Sequence, residues 1–197
     1  NYLSDSSAIE FLEDKYFETY RLGAVQSNLE SIEPLVRNVD LSAFDIRAIR
    51  AADAPARKDG NPNGFFAAEA CQIVRYMTLS DQLSSLCLYG ADLKLDRQDQ
   101  TATLLAQMIL FAISGYYARM HEYPIDTEHL AAYLVDSAEI RGTLTFYKSA
   151  KSDRWWLEVP QIISPKHQLV ACSYQDYQLT CNGELPDRLL NAFSRMH

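Results

Sequence analysis

Asp45 is the residue whose type and place most clearly point to chemistry. It closes a short apolar run, residues 39–46, and is followed by Arg47, Asp53 and, further on, Glu69. Ligand and metal sites of open α/β sheets collect beyond the carboxyl ends of strands. A carboxylate in such a place is costly unless a cation or hydrogen-bond donors meet it. Residues i and i+2 of a strand share a face, so Asp45 and Arg47 would be neighbours. Two readings of Arg47 stay open. It neutralises Asp45 or Asp53, or it turns outward as a solvated charge. Arginine is protonated at any working pH, so in the first reading the cation is permanent.

The elements that position these residues follow from periodicity. Residues 39–46 read as a buried strand. A loop rich in Pro, Gly, Asn and Asp follows, which suits a shaped connection more than a tight turn. Residues 65–79 read as a helix, with Ile73, Tyr76 and Met77 at helical spacing. Residues 83–89 read as a second apolar strand. Strand, helix and strand make a βαβ unit, expected to be parallel and right-handed. Residues 98–120 give the longest helix, with Gly115 inside it as a close-packing contact or a bend. Tyr116, Tyr117 and Arg119 read as core or rim packing rather than as a pocket.

Upstream, residues 6–20 read as a helix, and residues 28–36 as a short one that Pro34 disturbs. Downstream, residues 126–136 read as a helix. Residues 143–149 and 155–159 form a β-hairpin, and residues 173–181 and 186–196 form short helices. Trp155 and Trp156 point to opposite faces of their strand, so both faces of the hairpin should be covered at a domain or subunit interface. Lys148, Lys151 and Arg154 beside them offer stacking on an anionic or aromatic partner, but packing is the preferred reading.

With 197 residues the chain is one domain, two at most, and 48% apolar content is enough for a core. A net charge of −8 argues against nucleic acid and anionic membranes as partners. The longest apolar stretch, around residues 104–113, is too short to span a bilayer. The four cysteines lack C-x-x-C spacing and suit reduced thiols in a cytoplasmic protein, with Cys71 and Cys87 in the core. The start, Asn1-Tyr2-Leu3-Ser4, without Met or signal peptide, reads as the middle of a longer protein. There is no P-loop, G-x-G-x-x-G, H-E-x-x-H or G-x-S-x-G motif, and the four histidines, His121, His129, His167 and His197, are scattered.

The stretch from Phe44 to Leu95 resembles the second metal motif of the ureohydrolases, the family of arginases, agmatinases and formimidoylglutamases. That family writes S-F-D-x-D-x-x-D-P-x-x-A-P, then P-x-G-L/F and a Glu. Phe44, Asp45, Ala54, Pro55, Pro62, Gly64, Phe65 and Glu69 fall at matching positions. Three departures stand out. Arg47 replaces the second metal-binding Asp, Arg50-Ala51 replaces the following D-P, and Gly90 replaces the Glu that faces the substrate guanidinium in arginases. The resemblance implies a binuclear manganese site that polarises a water, with Asp45 as the single retained ligand position and Arg47 as a metal-replacing cation. The family's D-x-H-x-D motif is not present: no D-x-H occurs.

A second resemblance, to a divergent bacterial formimidoylglutamase-like branch, rests on Phe146 to Ser149, Ser152 to Trp156, Glu158 to Pro160, Cys172 to Tyr174, Asp176-Tyr177, Gly183-Glu184, Pro186 and Arg188. Together these imply an α/β fold: the C-terminal half of an arginase-like three-layer αβα domain with a parallel sheet (1–121), plus an α+β C-terminal extension (122–197). The implied function is a degenerate ureohydrolase that binds a small amidine or guanidino ligand or serves assembly, with no metal. The alternative is an active, manganese-dependent hydrolase of linear amidine C–N bonds on a formimidoylglutamate- or arginine-like substrate. By the same resemblance a homo-oligomer, trimer or hexamer, is expected.

Overall fold

The structure is a computed structural model that describes residues 6–15, 17–123, 125–160 and 168–194. It divides into two compact units. One is Leu22–Tyr123, and the other joins the segment 1–21 to the segment 124–197. The chain opens with helix α1 (Ser6–Asp14), counted with the second unit. It ends before Tyr20, short of the expected boundary.

The first unit begins with helix α2 (Leu22–Ser27), which the sequence reading left unassigned, and helix α3 (Ile32–Val36). Strand β1 (Leu41–Asp45) leads through a 3₁₀ turn and a long loop to helix α4 (Ala67–Thr78). Strand β2 (Ser85–Tyr89) and helix α5 (Gln100–Tyr117) complete the unit. The two strands pair in parallel from Leu41↔Ser85 to Asp45↔Tyr89, as a βαβ connection requires.

Strand β1 was expected to be buried, but it alternates. Ser42 and Phe44 are buried while Leu41 is 63% exposed. Within this unit, one face of the two-stranded sheet is covered by a cluster that includes Phe44, Ile46, Ile73, Val74, Leu104 and Met108. Cys71 joins that cluster, whereas Cys87, also expected in the core, lies exposed on β2. Period-2 alternation sends Leu86 and Leu88 inward and Cys87 outward.

Helices α4 and α5 pack closely because Gly115 has no side chain. A methyl group there would stand 2.6 Å from Arg75 O and against the Thr78 hydroxyl. Thr78 Oγ1 donates back to Val74 O and Arg75 O, so it cannot easily turn away. Gly115 is thus a packing contact. Arg119 then ties the region together, donating to Thr78 O at 3.1 Å and Leu83 O at 2.9 Å while lying 4.5 Å over the Tyr116 ring.

The second unit holds four strands: β3 (Leu130–Ser137), β4 (Gly142–Ser149), β5 (Trp155–Val159) and β6 (Gln168–Cys172). They form an antiparallel meander in the order β3-β4-β5-β6, followed by helices α6 (Tyr174–Cys181) and α7 (Asp187–Ser194). The helix expected over residues 126–136 is instead a 3₁₀ turn, Thr127–His129, and strand β3. Every residue of β3 pairs with β4, from Leu130↔Ser149 to Ser137↔Gly142. Cross-strand pairing overrides the helical preference of its Ala and Leu residues. Strand β6 was not foreseen.

The core of this unit joins Val135, Leu144, Phe146, Leu157, Val159 and Leu189. The hairpin of β4 and β5 falls where expected, with Trp155 and Trp156 on opposite faces. Both indoles are buried within the single chain, at 6% and 1% exposure, so neither waits for a second copy to cover it.

Gly115→Ala is expected to lower stability by roughly 1–3 kcal/mol through overpacking, despite alanine's better helix propensity. Urea denaturation checks this, and an unchanged or raised midpoint would rule out the close-packing role.

Candidate functional site

The carboxyl end of β1 does not continue the pleat. Asp45 caps the 3₁₀ turn Ile46–Ala48, and its Oδ1 accepts from Arg47 N at 2.9 Å. The turn, rather than strand alternation, brings the two side chains together. Arg47 Nε donates to both carboxylate oxygens, at 3.1 and 3.0 Å, and Nη2 donates to Oδ2 at 2.7 Å. The guanidinium holds the Asp45 carboxyl below the ordinary range, outweighing a burial effect that raises it. Arg47 pairs with Asp45 rather than Asp53, and its side chain is also 54% exposed to solvent.

Gly90 completes this corner. Its φ of +89° is a conformation side-chain-bearing residues rarely adopt. A Cβ here would press on Asp45 Oδ1, lie 3.1 Å from Asp45 Cγ and 3.4 Å from Arg47 Nε. The ion pair therefore fills the space in front of the second strand, and the glycine makes room for it.

The other charges of the motif also have partners. Arg50 Nε donates to Asp53 Oδ2 at 2.8 Å, and the Arg50 guanidinium lies 4.2 Å over the Phe66 ring. Asp53 Oδ2 also accepts from Ala67 N at 2.9 Å, satisfying an open donor at the start of α4. Glu69 Oε2 accepts from Phe66 N at 2.8 Å and from Gln26 Nε2 at 2.9 Å. Asp53 and Glu69 thus anchor the helix to the loop. The loop is fixed further by Gln100 Nε2 on Ala52 O and by Ala56 N on Thr101 Oγ1.

Arg57 went unnoticed in the sequence. It is buried, donates Nη1 to Arg47 O at 2.7 Å and Nη2 to Asn61 O at 3.1 Å, and adds its charge to the field that depresses Asp45. Its A-P-A-R context gives no cue that distinguishes it from a solvated loop arginine.

A two-metal site needs several carboxylate or imidazole ligands around open positions. Among the described residues no three of His, Cys, Asp or Glu converge to hold an ion. Asp45 alone lies at the expected place, with both oxygens bonded to Arg47. The described donor set does not fit a pair of metals. His121 lies elsewhere, its backbone N–H on Asp81, and His167 and His197 fall outside the described residues.

Solved structures similar to this one include formimidoylglutamases and arginases. Formimidoylglutamase from Bacillus subtilis subsp. subtilis str. 168 gives a TM-score of 0.55 at 16% identity, over 61% of this chain and 40% of that one. An oxidized Trypanosoma cruzi formiminoglutamase with Mn²⁺ gives 0.53 at 14% identity, over 58% and 41%. Helicobacter pylori arginase gives 0.50 at 11% identity, over 57% and 39%. No family model and no curated protein matches the sequence. The chain has part of the arginase–formimidoylglutamase fold, joined to an antiparallel sheet, and it spans about 40% of the length of these proteins.

Two measurements follow from the corner. Gly90→Ala is expected to cost roughly 1–3 kcal/mol, part strain and part collision. In the Asp45→Ala background the collision disappears, so the same change should cost less; equal costs in both backgrounds would show that the carboxylate does not fill this space. The second concerns pH. Asp45 has a folded pKa below its unfolded value of about 3.9. Its contribution is present above that value and is lost as pH falls through the folded pKa. The stability gap between wild type and Asp45→Asn, read by urea denaturation, should hold at neutral pH and narrow below about pH 4. A gap constant down to the folded pKa and beyond contradicts this.

Proposed function

We propose that this chain is part of a ureohydrolase-fold protein that has given up its binuclear metal site and acts by ligand binding or assembly. The observation that carries this reading is the Asp45–Arg47 pair, in which a fixed cation bonds both oxygens of the one retained ligand position. A guanidinium supplies positive charge to a carboxylate as a metal would, but has no open position at which to polarise water. The loss of a side chain at Gly90 supports the same reading, since the position matched to the substrate-facing Glu offers no carboxylate. The ligand proposed is a small amidine or guanidino compound, and the assembly proposed is a homo-oligomer. Exposed Ile109, Leu110 and Ile113 on α5 favour assembly, because they form an uncovered apolar face.

A second reading, an active manganese-dependent hydrolase of linear amidine C–N bonds, is favoured by the Mn²⁺ in the similar Trypanosoma cruzi formiminoglutamase. In that case Arg47 must release Asp45, and the remaining ligands must come from outside the described residues.

Elemental analysis of the full-length protein, purified with manganese present, separates the two. The expected result is far less than one manganese per chain. About two per chain, the number a binuclear site holds, overturns the proposal. Arg47→Asp should raise Mn²⁺ affinity at least about tenfold, as a second carboxylate replaces a cation. Electron paramagnetic resonance titration reads this directly, and unchanged affinity would show that Arg47 does not stand in for a metal.

A further inference from the structure

The second unit contains a cleft of about 510 Å³ lined by Tyr133, Lys148, Asp153, Trp155, Tyr174 and Tyr177. That volume is in the range of small-molecule sites. Strands β3, β4 and β5, the β4–β5 turn and helix α6 each contribute to its wall. Trp155 is the hub. Its ring centroid lies 5.0 Å from Tyr133, 5.5 Å from Tyr174 and 4.7 Å from Tyr177. Flat apolar faces and one cation meet here, for Lys148 Nζ lies 5.8 Å from the Trp155 centroid.

The exposure of the Lys148–Asp153 ion pair decides what chemistry fits. Lys148 Nζ bonds Asp153 Oδ1 at 2.8 Å, but the lysine side chain is 33% exposed and the aspartate 83%. Exposed pairs of this kind contribute little, so the aspartate is cheaply displaced. The lysine is the more buried partner, with its Nζ beside the Trp155 ring. Asp153 sits on the turn at φ +58°, outside the sheet. An incoming cation would have to expel the more buried lysine from its place over Trp155. An incoming carboxylate has only to replace the exposed aspartate. Ring faces carry negative potential and repel an anion. The charge of such a ligand must therefore sit at Lys148, with an uncharged flat body on the aromatic walls.

We propose that this cleft binds a small planar carboxylate, which takes the place of Asp153 on Lys148 and lays its body against Tyr133 and Tyr174, the more exposed rings around the buried Trp155. It is a site separate in sequence and in fold from the carboxyl end of β1, and it does not depend on whether a metal binds there. Asp153 acts as a resident competitor that keeps Lys148 paired when no ligand is present.

Isothermal titration calorimetry of the chain with benzoate, benzamide and acetate tests this, with tryptophan emission followed in parallel. Benzoate is expected to bind saturably and to change the emission. Benzamide lacks the charge and acetate lacks the ring, and each should bind at least about tenfold more weakly. Lys148→Met should lose benzoate by a similar factor. Asp153→Asn should tighten benzoate about threefold, because the competitor's charge is gone while asparagine tolerates the left-handed backbone. This last arm is a gain, so it cannot be mimicked by a folding defect. Three results overturn the proposal: no saturable benzoate binding up to about 10 mM, well above the affinity of a weak site; benzamide binding as tightly as benzoate; or Asp153→Asn leaving the affinity unchanged or lowered.

Discussion

The corner at the end of β1 depends on one constraint: a carboxylate placed there must be met by a donor. In water the cost of leaving Asp45 unpaired would be small. At this strand end it is larger, because the Asp45 side chain is only 25% exposed and the effective dielectric falls as solvent is excluded. This chain meets the constraint from within. Asp45 is met by the next turn, through both the backbone and the side chain of Arg47. Asp53 is met by Arg50 and the start of α4, and Glu69 by Phe66 N and Gln26. Each of these three acids of the motif is thereby turned into a structural tie that helps fix the shape of the long loop.

The same economy does not extend to the apolar surface. Within its unit the two-stranded sheet has one face covered, and Leu41 and Tyr89 stand exposed on it. Helix α5 is inward at Leu104 and Met108 yet outward at Leu110 and Ile113. A helix apolar on all sides is normally enclosed on all sides. The second unit differs, since α7 and the meander already enclose Phe146, Leu157 and Leu189 completely.

Much of this was legible in the sequence for a physical reason. Strands β1 and β2, helices α4 and α5 and the β4–β5 hairpin each carry a local signal: an apolar run bounded by breakers, a 3.6-residue period, or a turn of fixed length. The Asp45–Arg47 contact was foreseen as a pair, although by strand alternation, whereas the 3₁₀ turn at Ile46–Ala48 is what makes it. Strand β3 was not legible, because Leu130-Ala131-Ala132-Tyr133-Leu134 reads equally well as helix and only its partner strand decides. That error hid Tyr133 from the neighbourhood of Trp155. Arg57 was hidden for a different reason. Its bonds run to backbone carbonyls of Arg47 and Asn61, and such bonds leave no mark on residue type.

Positions 45, 47 and 90 are best understood as one unit. Arg47 can reach both oxygens of Asp45 only because nothing projects from residue 90 into the same space. Conversely, a side chain at 90 that faced a ligand across this corner would collide with the Asp45 carboxylate in its present rotamer. A side chain at 90 is therefore incompatible with Asp45 in this rotamer, whichever residue stands at 47. With Asp45 held by Arg47, a side chain at 90 becomes a steric fault, and the φ of +89° there disfavours one independently. Glycine at 90 and the Arg47 bonds to Asp45 thus support one arrangement, a corner closed by the chain's own charges.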